Sequence, residues 1–474
     1  MRITNPMIMN RMQLNFNRNA QQVDKLYNQM STGKRVMFPS DDPILAGRAL
    51  KFRTNVNETE QYQRNVGQGL SWMEITEGAF KNVTNITGRI RDLLVQGASD
   101  ENSFNDRKKI VTDIEQLVKQ LGTEMNVSYT GRYVFSGYRT DQPPVIQKDD
   151  PDALFNITQV FSGKNIEKID VLQSGNANGI DTFSYTADMD IMKLAYSNGV
   201  HSGTMTLELG GGVIPFVSYP SLNDNGSGTT PPTSVDLSAF GTNEVYYIED
   251  TGTFVLGSAI VEQMRVDGLA LEVKYDKTGL EKGDLNPLVY FECIDKNTGK
   301  EYNMDHQDVE YEFGVSTRIN INSLAKNVYT DKMYADLVDF CNMFMSMPIS
   351  TLDGIMASNP GMSEEQAKEI LHTEEDQLRR MSQQRFNSLL GLLDAHSANV
   401  MREQTDLGSR MSRLELIEGR LEEDRINYKK LLSDSEDVDY TEAAMEMRLA
   451  ETVYQAALQV GAKIMQMSLA DYIR

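Results

Sequence analysis

The 474-residue chain holds two cysteines, Cys293 and Cys341. They are too few and too far apart in sequence for a disulfide framework or a zinc site. Four histidines, His201, His306, His372 and His396, show no metal-ligand spacing. His396 falls on an apolar helical seam, the setting of a hydrogen-bonded structural histidine. No run approaches ~18 consecutive apolar residues, which leaves no membrane span. Residues Met1 to Pro6 lead directly into an amphipathic repeat, without the apolar stretch of a cleaved signal peptide. Cations are scarce as well: 46 Lys and Arg against 68 Asp and Glu give a net charge of -22. That balance argues against nucleic acid or anionic membrane as a partner, since basic patches hold both.

Catalytic motifs are equally thin. Gly210-Gly211-Gly212 lacks the helix and acidic partner of a dinucleotide site. Ser31-Thr32-Gly33-Lys34 lacks the upstream Gly and the following Ser or Thr of a phosphate-binding loop. Carboxylate pairs such as Glu422-Glu423 lie in charged helical faces, where solvation is the default. The residues point to no enzyme, no cofactor and no metal.

What the chain does have is matching apolar stripes at its two ends. Met9, Met12, Phe16, Asn19, Val23, Leu26 and Met30 fall at alternating spacings of three and four. So do Ala450, Val453, Ala457, Val460, Ile464 and Met467, and this is the seam pattern of a coiled coil. Tyr454, Leu458, Met465 and Leu469 extend the second stripe beyond its seam. One partner helix cannot cover such a segment, so it needs further neighbours. These residues are the expected assembly interface. Asn19, polar within the seam, either fixes register or is solvated at a loose point in the bundle. Several of the 26 methionines, Met9, Met12 and Met467 among them, lie in these stripes, where a flexible side chain can repack against varied neighbours.

Punctuation along the chain divides it. The first helix is expected from Pro6 or Met7 to Gly33, a natural stop. Asp42 and Pro43 suit the cap and first turn of a second helix, which runs through Phe52, Val56, Val66, Met73, Phe80, Ile90 and Leu94. Gly67, Gly69, Gly78 and Gly88 within it imply either close helix approaches or a break. A third helix spans about Asn105 to Tyr129. From Arg132 to about Asn322 the texture becomes that of short strands, such as Thr204 to Leu209 and Leu269 to Tyr275. Residues 223–232 read as an exposed loop. Helices return after Asn322. Ser363-Glu364-Glu365-Gln366 matches a capping box, and a seam from Phe386 through Leu393, His396, Val400, Leu407 and Leu414 to Leu421 follows. The acidic Ser433 to Asp439 precedes a last helix, which Asp439 and Glu442 can cap.

The expected fold class is α+β: a discontinuous long-helix bundle and a terminal coiled coil formed by both chain ends, with an inserted antiparallel β-domain. The expected domains are 1–42 plus 435–474 (terminal coiled coil), 43–139 plus 323–434 (helical bundle) and 140–322 (β-rich insert).

A resemblance follows from the motifs themselves. Gln29-Met30-Ser31-Thr32-Gly33-Lys34-Arg35, Pro39-Ser40-Asp41-Asp42-Pro43 and Gly47-Arg48-Ala49-Leu50 resemble the N-terminal signature of the bacterial flagellin superfamily. The Pro-Ser-Asp-Asp-Pro form is closer to its hook-associated protein 3, or hook-filament junction, branch than to filament flagellin. Gly408 to Glu415, Leu431 to Asp439, Gln455 to Leu458 and Gln466 to Tyr472 resemble that family's C-terminal signatures, and Tyr133 to Gly137 with Thr140 to Pro144 resembles its exit into a variable domain. Met37-Phe38 departs from the polar or basic pair usual in the family. The resemblance implies a structural part in the extracellular flagellum, at the hook-filament junction. It implies type III export without a cleaved signal, and an export chaperone beforehand. The implied partners are hook-associated protein 1, flagellin and further copies of the chain in a ring. A filament flagellin with an unusual insert is the alternative, and a binding module or enzyme within 145–320 is a third reading.

Overall fold

The computed structural model describes residues 5–36, 38–40, 42–177, 180–220, 241–305, 307–314, 316–346, 352, 355–356 and 362–472, with side chains undescribed at 5–6, 169–188, 346, 374 and 464–472. Long helices from both chain ends and antiparallel sheets from the middle make an α+β fold, as the sequence predicts. The chain forms two compact units: Met1–Gly67 with Glu312–Thr317 and Leu414–Arg474, and Gln68–Tyr311 with Arg318–Arg413.

In the first unit, α1 (Asn5–Thr32) ends where Gly33 takes a φ of +70°, the left-handed region open to glycine. α2 (Pro43–Ala98) begins at the expected cap: Asp42 Oδ1 accepts from the backbone N–H of Ile44 and of Leu45, both at 3.0 Å. α8 (Glu364–Glu436), which starts in the second unit and enters the first at Leu414, opens on the reciprocal capping box. Ser363 Oγ accepts from the Gln366 amide at 3.3 Å, and Gln366 Oε1 accepts from the Ser363 amide at 3.1 Å. α9 (Tyr440–Tyr472) is capped by Asp439, whose Oδ1 accepts from the amide of Thr441 at 2.8 Å and of Glu442 at 3.3 Å. Within this unit Leu26, Val56, Leu414, Leu421 and Ala443 are buried.

The second unit holds the rest of α2 and α8, with α3 (Phe104–Met125). α2 is unbroken through all its glycines. At Gly78 and Gly88 an added Cβ would meet nothing within 4 Å, so the expected close approaches are not there; the close one is Gly97, packed on Phe386 of α8. α3 stops at Met125 rather than Tyr129, because Ser128–Tyr129 (β1) pairs with Arg132–Tyr133 (β2) across a two-residue turn. Thr130 and Gly131 there have φ of +49° and +79°, the geometry of the tight hairpin turn that suits strand twist. Arg107 is fully buried despite its place in a charged run. Its guanidinium donates to the carbonyls of Gly97, Ser99 and Arg379 and to Ser382 Oγ, at 2.7–2.9 Å.

The strands form two main sheets. With β3 at Asp150–Phe161, β6 at Val200–Leu209, β7 at Gly212–Ile214, β11 at Leu271–Leu280, β12 at Glu292–Asp295 and β13 at Lys300–Tyr302, one has the order β13-β12-β3-β11-β6-β7. With β4 at Glu167–Ala177, β5 at Ile180–Lys193, β8 at Val217–Tyr219, β9 at Val245–Ile248 and β10 at Thr253–Leu256, the other has the order β4-β5-β10-β9-β8. β3 (Asp150–Phe161) alternates as expected, turning Phe155, Ile157 and Phe161 to the core. The expected run Thr204 to Leu209 lies in β6 (Val200–Leu209), and β11 (Leu271–Leu280) takes the second run from Leu271, leaving Leu269 and Ala270 outside it. β4 (Glu167–Ala177) and β5 (Ile180–Lys193) form a long hairpin, and β8 (Val217–Tyr219) pairs with β9 (Val245–Ile248) in parallel, against the antiparallel pairing expected. The 223–232 loop lies outside the described residues. β7 (Gly212–Ile214), β10 (Thr253–Leu256), β12 (Glu292–Asp295) and β13 (Lys300–Tyr302) complete the sheets; α4 (Ser258–Arg265), α5 (Pro287–Tyr290), α6 (Ala325–Val328) and α7 (Asp331–Ser346) complete the unit.

Candidate assembly interface

The two ends of the chain meet side by side. Phe16 of α1 packs on Tyr454 of α9, ring centroids 5.0 Å apart and planes tilted by 33°. A Cβ on Gly461 would lie 3.3 Å from the Met12 methyl, so the missing side chain makes room for the methionine. Gly33 faces Tyr440. Residue numbers rise along α1 as they fall along α9, so the helices run antiparallel. From α1 the seam takes Met12, Phe16, Asn19, Val23, Leu26 and Met30, all at least half-buried, while Met9 is exposed. From α9 it takes Ala450, Tyr454, Ala457 and Gly461. Two expected seam residues, Val453 and Val460, face solvent instead, and Tyr454 takes a place inside. Periodicity alone cannot choose among the faces of a helix that is apolar on several sides; the ring contact and the glycine choose. Leu458 is also exposed. Ile464, Met465, Met467 and Leu469 lie outside the described side chains.

The corners of the two ends lock together. Arg35 N–H donates to the Glu436 carbonyl at 2.7 Å, and Val438 N–H donates to the Gly33 carbonyl at 2.9 Å. Lys34 Nζ sits 2.7 Å from Asp437 Oδ1 and 3.5 Å from Glu436 Oε1, and Arg53 Nη2 is 2.5 Å from the same Glu436 oxygen. The hydrogen bond to Asp437 raises the Lys34 pKa, against a smaller opposing effect of burial. Asp437 is lowered by that bond and by the Ser433 hydroxyl. Gly33 is doubly constrained, because a Cβ there would lie 2.7 Å from the Tyr440 hydroxyl. Complementary charge at the corners, Lys34 against the acidic Ser433 to Asp439 run, was the signal in the sequence for this contact. Below the corner, Lys429 pairs with Glu60 at 2.8 Å, and Gln63 donates to Glu422 at 2.8 Å.

Both ends match one family of proteins. The bacterial flagellin N-terminal helical region matches residues 3–140, and the bacterial flagellin C-terminal helical region matches residues 390–473. Its two ends are similar to the helical regions of bacterial flagellin. The flagellar hook-associated protein 3 of Escherichia coli K12 is 34% identical over 120 residues, 24% of this chain and 37% of that protein. Flagellin 1 of Proteus mirabilis is 30% identical over 154 residues, 31% of this chain and 41% of that protein. The chain thus spans less than half the length of these relatives. A solved structure of the flagellar junction protein from Legionella pneumophila aligns at 13% identity with a TM-score of 0.31, over 77% of this chain and 98% of that one.

The flagellin-type ends present apolar surface outward as well as inward. Met445, Leu449, Val453 and Val460 on α9 are 64, 67, 46 and 54% exposed. Their spacings of four, four and seven place them along one face. On α1, Met7 and Leu14 are exposed one heptad apart.

The two cysteines and the seam histidine are structural. Burial pushes the Cys293 and Cys341 thiols up to about 12 each, so neither is a reactive thiolate at neutral pH. His396 Nε2 lies 3.0 Å from Asp336 Oδ2, the satisfied structural histidine expected of its seam. Among the described residues no group of His, Cys, Asp and Glu could hold a metal ion, and no helix is long and apolar enough to cross a membrane.

Proposed function

We propose that this chain is a structural subunit at the hook-filament junction of the bacterial flagellum, without catalytic activity. It joins the hook, through hook-associated protein 1, to the first flagellin subunits, in a ring with further copies of itself. The observation that carries the reading is the paired ends whose outer face remains apolar. Burying a Leu or Val side chain contributes roughly 1.5–3 kcal/mol, so the four-residue face on α9 offers on the order of 6–12 kcal/mol gross before the entropic cost of association. In this reading residues 1–42 plus 435–474 assemble, 43–139 plus 323–434 brace them, and 140–322 form the insert. The interface draws on both seam and outer residues, including Val453, Leu458, Val460, Ile464, Met465, Met467 and Leu469. Contact is heterologous and head-to-tail, and a layer stops where its neighbour changes identity. Export through the flagellar type III apparatus, with a chaperone shielding the last helix, keeps the faces apart until docking.

The test is electron microscopy of the purified chain, alone and mixed with hook-associated protein 1 and flagellin. A chain that stays monomeric alone, yet caps hook-type assemblies and seeds flagellin, supports the junction reading. The similarity to Flagellin 1 favours a second reading, a filament flagellin, and spontaneous long filaments from the chain alone would establish that instead.

A further inference from the structure

β11 carries a lysine where its neighbours on the same face are apolar. Lys277 follows Leu271, Val273 and Tyr275 along the core face of the six-stranded sheet, and its side chain is 1% exposed. Its Nζ donates to Asn198, in the β5–β6 connection, at 2.9 Å to Oδ1 and 2.8 Å to the backbone carbonyl. Asp284 Oδ2 lies 3.7 Å from the same nitrogen. The carboxyl is fixed by the Glu281 amide at 3.0 Å and the Tyr334 hydroxyl at 3.1 Å, and the Tyr196 ring covers Nζ at 5.3 Å. An amine, a carboxamide and a carboxyl thus share a pocket of tyrosines.

Burial acts on both titratable members. It lowers the Lys277 pKa and raises that of Asp284, because low dielectric disfavours either charged form. The pair is driven towards amine and acid, the forms needed for attack on an amide.

We propose that Lys277 and Asn198 join in an intramolecular isopeptide bond, with Asp284 as the acid–base group. The Lys277 ammonium first gives a proton to the Asp284 carboxylate. The neutral amine then attacks Asn198 Cγ, forming the Nζ–Cγ bond. One proton passes from Nζ by way of Asp284 to Nδ2, the Cγ–Nδ2 bond breaks, and ammonia leaves. The carboxyl ends protonated, as it was at the moment of attack, and no oxidant or further reactant is consumed. Holding the amine against the amide supplies the proximity that the uncatalysed reaction lacks, and only the folded chain provides it. The bond would tie β11 to the β5–β6 connection across 79 positions of sequence, a covalent strut within the sheet region.

Intact-mass measurement of the full chain, followed by tryptic mapping, tests this. The expected result is a loss of about 17 Da from the sequence mass, together with a branched peptide joining residues 194–265 to 275–282. Asn198→Asp should lose about 18 Da as water instead, while Asp284→Asn and Asn198→Ala should keep their full sequence mass. An unmodified wild-type mass after prolonged incubation of the folded chain would overturn the proposal. So would a 17 Da loss confined to the linear peptide carrying Asn198-Gly199 and cleavable by hydroxylamine, which is a succinimide.

Discussion

Two substitutions of one kind in one helix should act with opposite sign. A methyl on Gly97 of α2 would lie 2.2 Å from Phe386 Cε1 and 2.6 Å from its Cδ1 and Cζ, against ~3.5–4.0 Å for carbons in contact. The ring must retreat by more than about 1 Å. It is fully buried and packs edge-on against Phe340 and Phe344, centroids 5.0 and 5.2 Å away, so retreat displaces two further rings. Such overpacking costs ~1–3 kcal/mol, from which the helix preference of Ala over Gly recovers ~0.5–1 kcal/mol. Gly97→Ala should therefore destabilise by about 1 kcal/mol, within a range of roughly 0–2.5. Gly88 is exposed on the same helix with open space around its Cα, and Gly88→Ala should stabilise by ~0.5–1 kcal/mol. Trp72, the one tryptophan in the chain, is buried in the same unit with its ring edge-on to Tyr129. Urea unfolding followed by its fluorescence reads both shifts. A Gly97→Ala midpoint that rises alongside that of Gly88→Ala would refute the packing described for α2 and α8.

Arg107→Met keeps an apolar stem but removes the guanidinium bonds to the carbonyls of Gly97, Ser99 and Arg379 and to Ser382 Oγ. It should cost ~2–4 kcal/mol on the same fluorescence assay, and an unchanged midpoint would show that the guanidinium is dispensable. Gly33→Ala forces a φ of +70° on a residue with a Cβ, at ~1–2 kcal/mol; faster hydrogen exchange at Arg35 and Val438, with Trp72 unfolding unchanged, is the expected readout. The same two amides report pH. Asp437 is depressed, so its contribution is present above ~3.9 and lost as pH falls through its folded value. Lys34 is raised, so its contribution is present below ~10.4 and lost as pH rises through its folded value. Their protection factors should thus hold steady between about pH 4 and 10 and drop on both sides, and Lys34→Met should abolish the plateau.

Four helix boundaries were legible in the sequence because they rest on local chemistry: Asp42, the Ser363 capping box, Asp439 and Gly33 each act within one turn, whereas the end of α3 depends on the β1–β2 pairing. The α1 seam from Met12 to Met30 was legible for a similar reason, its apolar positions repeating at three and four, while Met9, expected in it, stays exposed with Met7 and Leu14. The face that α9 gives to α1 was not, because residues 450–460 are apolar on several sides and the choice depends on Phe16 and Met12 across the interface. The close glycine was misplaced likewise: Gly78 and Gly88 look no different from Gly97 until Phe386, nearly three hundred positions away, is in view. Arg107 reads as a solvated charge in Asp106-Arg107-Lys108-Lys109, and only the carbonyl ends of other elements explain its burial. Sheet order joins β3 to β11 and β12 over long separations that no local pattern encodes.

The outer face of α9 is the centre of the assembly account. The most direct measurement is incorporation at hook tips of the double variant Leu449→Ser, Val460→Ser, scored by electron microscopy beside its circular dichroism as a free monomer. Both side chains are exposed in the single chain, so the monomer should keep its helicity while incorporation is lost. Incorporation at the wild-type level, with the apolar face removed, would contradict the account.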